Sequence, residues 1–409
     1  MTVEIKSVTS PQFVIKRPSY DYAPSVMKDT DGMYKAWWCA GRAGDFIGYA
    51  ESNDFRSGFE VIESKFFPNR SHGKPDAKIS FLAFDGLHAC DPSVLKIADK
   101  YYLYYGGLAN HKVSQTIKDK EIRLTDYPQA NSVATTYIGV AESRDGVNWK
   151  RQNNGNPIIK PQADPTNIES YASYSSVYGA GQPSVVYLDN QYYLAYHDST
   201  GEASNSVNGA GIYVLSSVDP LFQKNVKELR CQGDERRAIA AGSCDRTYWK
   251  PLAAEEKPST KYAIAEAFSP AIAYSDSFES FVLATHHQQG KSRLNFFNSQ
   301  FKLITEELTL TEGLKIPGGN WRDGPGLLAD TQGHLISKKK SLFACNSTNV
   351  DIFSGSSATK DLRTWDIAHW SAVLNDCTSP ITKISSSIVL VIIIIFLFLL
   401  VRSRMSKMS

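Results

Sequence analysis

A single phrase recurs five times along these 409 residues, and it limits the possible folds more tightly than any other feature. Each copy opens with a proline-led apolar run, turns, continues in an aromatic run, and closes a third run with a Ser- or Asp-rich turn. The first copy has Ala23-Pro24-Ser25-Val26, then Tyr34 to Cys39, then Phe46 to Ser52. The second has Asp91-Pro92-Ser93-Val94, Tyr101 to Tyr105 and, after an insertion, Tyr137 to Ser143. The third has Gln182-Pro183-Ser184-Val185, Tyr192 to Tyr196 and Gly211 to Ser217, while the fourth starts at Ser269-Pro270 and the fifth at Gly324-Pro325.

Short runs of β-branched and aromatic residues bounded by Asp, Asn and Gly turns read as strands. Ordered repetition of one such unit reads as a repeat architecture, and four short antiparallel strands per unit make the blade of a β-propeller. The sequence therefore predicts an all-β fold, a five-bladed β-propeller over residues 18–375, with blades near 18–65, 87–160, 178–230, 265–312 and 321–375. A β-sandwich with chance similarity between hairpins is the alternative. Residues 1–17 read as an N-terminal extension. The 21 Tyr, 19 Phe and seven Trp supply bulk to fill the space between blades. A net charge of +2 is too near zero for an electrostatic binder of nucleic acid. No cofactor is expected, and the oligomeric state is left open.

The C-terminus differs in kind. Ile388 to Val401 is uninterruptedly apolar and is followed by Arg402, Arg404 and Lys407. It reads as a transmembrane helix over 388–401, short for a span, between a juxtamembrane linker at 376–387 and a basic tail at 402–409. A removable lipid-anchor signal is the alternative, which the charged end opposes. The positive-inside rule makes the propeller extracytoplasmic, yet Met1 to Ser10 holds no signal-peptide core, so the two cues conflict. Cys231 with Cys244, and Cys345 with Cys377, are candidate disulfides, while Cys39 and Cys90 read as buried thiols. Asn69-Arg70-Ser71 and Asn346-Ser347-Thr348 are glycosylation acceptors compatible with export.

In a propeller the innermost strands all run one way, so the residues preceding the prolines meet at one mouth. Here these are Ala23, Asp91, Gln182, Ser269 and Gly324, with Asp21, Gly181, Glu266 and Asp323 further out. The loops after the second strands add Arg42, Gly106 to Asn110, His197, Asp198, His286, His287 and Asn346. Carboxylates, imidazoles and an amide around a concave mouth make a small-molecule site. The histidines read as hydrogen-bonding rim residues, because no spacing resembles a zinc site, and no metal is expected.

At these residues the chain resembles a known group. Cys90-Asp91-Pro92-Ser93-Val94 followed by Tyr101 to Gly106 looks like the inner-strand Asp-Pro signature and aromatic second strand of the five-bladed propeller glycoside hydrolases, families 43 and 32 among them. Glu142 to Trp149 is similar to their third-strand turn, and the resemblance covers residues 18–375. It implies a glycoside hydrolase acting on furanosides or related glycans, with a carbohydrate partner and three inner-strand carboxylates. Ala23 and Gln182 depart from that pattern and Asp91 keeps it, so Asp21, Glu266 and Asp323 are the candidate replacements. The chemistry needs one protonated and one ionised carboxyl, and crowding at a mouth pushes their protonation apart. An Asp before Pro also closes Asx-type turns, the structural alternative for Asp91.

Their place at the mouth makes Arg42, Gln182, His197, Asp198, His286 and His287 candidate substrate contacts, and Trp321, like Trp37 and Trp38, is a candidate for stacking on a sugar ring, with packing between blades as the alternative. Tyr178 to Pro183 with Tyr196-His197 is similar to family 130 mannoside phosphorylases, which implies phosphate in place of water, held by Arg42, His197 or His287. Asp145-Gly146 with Trp149 is similar to the Asp-box of sialidases, a turn-stabilising motif on the far side of a blade. Two other readings stand beside the enzyme: a glycan-binding propeller without catalysis, favoured by Ala23 and Gln182, and a protein-interaction scaffold at a membrane.

Overall fold

The computed structural model describes residues 3–18, 20–41, 45–66, 83–86, 88–110, 134–163, 178–206, 208–233, 244, 246–254, 256–287, 291–305, 307–310, 321–336, 346–357 and 365–376. Arg42, Asn69, Cys345, Cys377 and the expected transmembrane helix and basic tail lie outside them, as do the side chains of His287, Trp321 and Asn346. Among the described residues no helix is long and apolar enough to cross a membrane.

The chain is nearly all strand. β1 (Val3–Val8) and β2 (Gln12–Ile15) come first. The first antiparallel group is β3 (Tyr20–Lys28), β4 (Tyr34–Gly41), β5 (Phe46–Ser52) and β6 (Glu60–Phe66). The second is β7 (His88–Ile97), β8 (Lys100–Asn110), β9 (Ala134–Ser143) and β10 (Lys150–Arg151). The third is β11 (Ala180–Leu188), β12 (Gln191–Asp198), β13 (Ile212–Ser217), β14 (Lys227–Cys231) and β15 (Thr247–Pro251), so it runs on past residue 230. The fourth is β16 (Pro270–Ser275), β17 (Ser280–His287), β18 (Lys291–Phe297) and β19 (Leu308–Thr309). The last is β20 (Trp321–Ala329), β21 (Asn346–Ser357) and β22 (Asp366–Asp376).

Residues 1–17, read from sequence as an extension, instead supply strands to this last group: β1 and β2 both pair antiparallel with β22. Unpaired, the β22 edge would expose a row of backbone donors and acceptors. On the other side, β20 pairs parallel with β3 through Leu328 and Ala329 against Val26 and Met27. The inner strands thus close a ring, β3 beside β7, β7 beside β11, β11 beside β16, β16 beside β20, and β20 beside β3.

Apolar cores lie between successive groups, and the period-2 alternation of strands fills them. Trp37 and Trp38 are neighbours in sequence and both fully buried. Trp37 packs with Tyr101, Leu103 and Tyr105 of the second group, whereas Trp38 packs with Phe353 and Ile367 of the last. The repeated Pro-Ser-Val has its own task. Ser25 Oγ accepts from the Val94 N–H at 3.0 Å, Ser93 Oγ from Val185 at 3.0 Å, and Ser184 Oγ from Ile272 at 2.8 Å. Each serine therefore fastens one inner strand to the next, by a donor the inner strand cannot satisfy in its own ladder.

The loop after β20 passes beneath the ring, where its carbonyls at Thr331, Gln332 and Gly333 accept from the N–H groups of Lys96, Tyr187 and Tyr274. Asp145 holds the turn expected of it, accepting from the Val147 and Asn148 N–H groups at 2.9 and 2.7 Å. Burial, the largest single influence, pushes its pKa up, and these bonds together with those from the Asn148 and Ser143 side chains outweigh it and hold the pKa below the usual carboxylate range.

Candidate active site

Four inner strands carry the same irregularity at the mouth. Pairing slips between Tyr22 and Ser25, Cys90 and Ser93, Gly181 and Ser184, and Asp323 and Pro325. Proline has no N–H to give the ladder, so the X-Pro step drops out as a bulge. The residue before each proline takes a positive φ: Ala23 46°, Asp91 50°, Gln182 52° and Gly324 58°. Three of these are not glycine, and such strain persists only where surrounding structure imposes it. The pre-proline residues, Ser269 included, line the cavity at the head of the channel.

Asp91 is 5 % exposed. Its Oδ2 accepts from the Tyr178 phenol at 3.2 Å, and its buried Oδ1 has no partner among the described residues. Burial pushes its pKa up to about 7, the Tyr178 hydrogen bond opposes this, and the charges of Asp323 and Asp45 add to it. Gly106, directly opposite, leaves room for the carboxyl: a Cβ there would stand 3.2 Å from Oδ2.

A hydrogen-bonded chain crosses the mouth beside it. Gln182 Nε2 donates to the Tyr22 phenol at 3.0 Å, Tyr22 lies 3.4 Å from Ser269 Oγ, and Ser269 donates to Asp323 Oδ1 at 2.9 Å. The Gly324 N–H also donates to Asp323 Oδ1, at 2.7 Å. Burial raises the Asp323 pKa while these two donors pull it down. Tyr20 stacks on Tyr22 with ring centroids 5.6 Å apart. Burial raises the pKa of both phenols, so they stay protonated.

The other expected site residues are distributed unevenly. His197 lies behind Tyr178, ring centroids 5.6 Å apart, with Nε2 bonded to the Gly209 carbonyl at 2.9 Å and Nδ1 buried without a partner among the described residues. Burial lowers its pKa to about 4. Asp198 accepts from the Thr200 and Gln162 N–H groups, both at 2.9 Å, and so closes a loop. Asp21 is fully buried, paired with Arg17 at 2.6 Å and accepting from Trp38 Nε1 at 2.6 Å, with burial raising its pKa. Glu266 is exposed and bonded to Asn205. His286 sets its ring against Trp370 between the fourth and last groups. Arg42 and the side chains of His287 and Trp321 fall outside the described residues.

The structure corrects one cysteine expectation and bears out another. Cys39 and Cys90 form a disulfide rather than two thiols, because the end of β4 and the start of β7 meet at the mouth with Cα atoms 4.7 Å apart. Cys231 and Cys244 are bridged as expected. Asp45 lies within 4.8 Å of both mouth sulfurs, but the bridge removes the thiolates a metal would need. Asp45 pairs instead with His88 Nδ1 at 2.6 Å. Tyr20, Tyr22, Tyr178 and the Asp45–His88 pair were not legible as site residues. The one local signal was Tyr178-Gly179-Ala180-Gly181, whose glycine makes space for the ring.

No protein-family model matches the sequence, and no curated protein matches it. Solved structures do match in fold. A family 117 glycoside hydrolase from Zobellia galactanivorans is 11% identical with a TM-score of 0.51, over 89% of this chain and 90% of that one. A family 62 α-L-arabinofuranosidase from Coprinopsis cinerea is 11% identical at 0.48, over 90% and 96%. A family 43 enzyme from Xanthomonas citri is 11% identical at 0.46, over 88% and 89%. This chain shares the fold of the family 117 glycoside hydrolase.

Proposed function

We propose that this chain is a five-bladed propeller whose mouth is a glycosidase site, with Asp91 as general acid and Asp323 as the carboxylate that activates water or attacks the sugar. The observation that carries this reading is two carboxyls at one mouth with different surroundings, Asp91 buried and Asp323 half-buried. Asp91, with one donor and one bare oxygen, titrates near 7. That is where a general acid serves best at neutral pH. Asp323, with two donors on one oxygen, is the better supported as an anion. Glycosidic cleavage uses such a division between two acids. The acceptor of Gln182, which lines the cavity and is unpartnered among the described residues, supplies a further point for a sugar hydroxyl.

The test is release of the aryl group from a panel of aryl furanosides and pyranosides, with and without inorganic phosphate. Asp91→Asn and Asp323→Asn are each expected to lower kcat/KM by at least about a thousandfold, in the range where acid catalysis and charge stabilisation are both lost. Both variants should melt no lower than the parent protein at pH 5. Turnover that survives Asp91→Asn would remove the assignment, and dependence on phosphate would favour phosphorolysis.

A second reading has its own observation. Ala23 and Gln182 hold the bulge positions that match Asp91 in β3 and β11, so one acid stands where a catalytic ring would carry several. Glycan binding without turnover on any substrate would select it. A single-pass anchor at 388–401, with the mouth on the extracytoplasmic side, belongs to both readings, and protease protection in sealed vesicles checks it.

A further inference from the structure

We propose that Tyr178 is a positioning residue for Asp91: its phenol holds one carboxyl oxygen so that the other presents its proton to the pocket. The inference deepens the glycosidase reading and rests on it for the role of the proton. Tyr178 precedes β11, yet its hydroxyl reaches back to the second inner strand and meets Asp91 Oδ2 at 3.2 Å. That leaves Oδ1, buried and without a partner among the described residues, as the oxygen a leaving group can meet.

The phenol is held from several sides. The Thr136 N–H and its hydroxyl both donate to the Tyr178 carbonyl, at 2.7 and 2.5 Å, and the Gly179 N–H donates to Ser199 Oγ at 2.8 Å. Gly181 makes room for the ring, since a Cβ there would come within 3.0 Å of it. His197 lies against the other side, itself braced by Phe268 at 5.3 Å. The imidazole is neutral above its pKa of about 4, so it adds no charge beneath the phenol. A ring so confined has little rotamer freedom to lose when it donates a hydrogen bond.

Among the described residues, the groups that act on Asp91 from its surroundings are few. Asp323 comes from β20, Asp45 with its partner His88 from the β4–β5 connection and β7, and the phenols Tyr20 and Tyr22 from β3. The acids raise the proton affinity of Asp91, and Tyr178 is the hydrogen bond that lowers it. Removing the hydroxyl while keeping the ring therefore leaves an acid that holds its proton to higher pH.

Tyr178→Phe in the full chain tests this. Two readouts are taken: the carboxyl titration of Asp91 by carbon NMR, assigned by difference with Asp91→Asn, and the pH profile of kcat/KM. The expected result is an upward move of the Asp91 titration by about half to one pH unit, the usual reach of one neutral hydrogen bond. The basic limb of the rate profile should move up by the same amount, with the melting temperature retained. An unmoved titration overturns the proposal. If no glycoside is turned over, the glycosidase reading fails while the NMR titration still decides the role of Tyr178. Should Tyr178→Phe not fold, Thr136→Val loosens the same residue from behind, and a smaller rise in the Asp91 titration is expected; none overturns the proposal.

Discussion

Asp91 combines a backbone conformation and a protonation state that a surface aspartate avoids, and one dipeptide produces both. Proline at 92 breaks the ladder and puts Asp91 at φ 50°, where an L-residue costs about 1–2 kcal/mol and Asn or Asp are tolerated best. The bulge turns the carboxyl into a dry mouth, and burial does the rest. A native carboxyl raised from 3.8 to about 7 makes its stabilising contribution below pH 4, and loses it as pH rises through 7. Asp91→Asn should then match the parent near pH 4 and exceed it at pH 8, by roughly 2–4 kcal/mol. Denaturant unfolding at the two pH values checks the sign, and equal stability at pH 8 would mean the carboxyl is not desolvated. Asp91 was legible because its proline belongs to a repeat. Tyr178 was not, because nothing local marks a tyrosine that bonds an acid on another strand.

At the scale of the strand, the repeated Pro-Ser-Val proves to be a fastening as well as a strand start. Three serines bind the next strand's N–H, and the fourth and fifth copies have Ala271 and Gly326 in that place. The change to glycine has a steric cause. A Cβ at Gly326 would stand 2.0 Å from the Pro24 carbonyl oxygen, because β20 runs against β3 at the ring closure. Gly326→Ala should destabilise by about 3 kcal/mol, since backbone rather than a flexible side chain must give way. Ser93→Ala should cost about 1–3 kcal/mol by leaving the Val185 N–H unpaired. Urea midpoints with unchanged slopes would bear out both, and a Gly326→Ala midpoint equal to the parent would show that the closure is loose. The strands themselves were readable from alternation and turns. Their slips were not, because a bulge depends on what the neighbouring strand pairs with.

Across the whole molecule, the ring is held shut by residues far apart in the chain. β1 and β2 pair with β22 near the other end of the described chain, and the Cys39–Cys90 bridge ties the first group to the second at the mouth. Deleting residues 3–8 should bare the β22 edge and its apolar partners Val350, Ala372 and Leu374. The expected outcome is a lower, broader melting transition with concentration-dependent association by light scattering. A sharp transition at the parent temperature would mean that β1 is not needed for closure. The sequence alone determined that this chain is made of repeated antiparallel strands and that Asp91 stands before the repeated proline of one of them, because proline, glycine and period-2 alternation act over a few residues. Only the tertiary structure decided that Cys39 meets Cys90, that Asp21 is spent on Arg17 and Trp38, and that the Tyr178 phenol bonds Asp91. The first and last of these pairings join different strand groups that closing the ring brings within reach, while Arg17 and Trp38 reach Asp21 from the segment before β3 and from its partner β4.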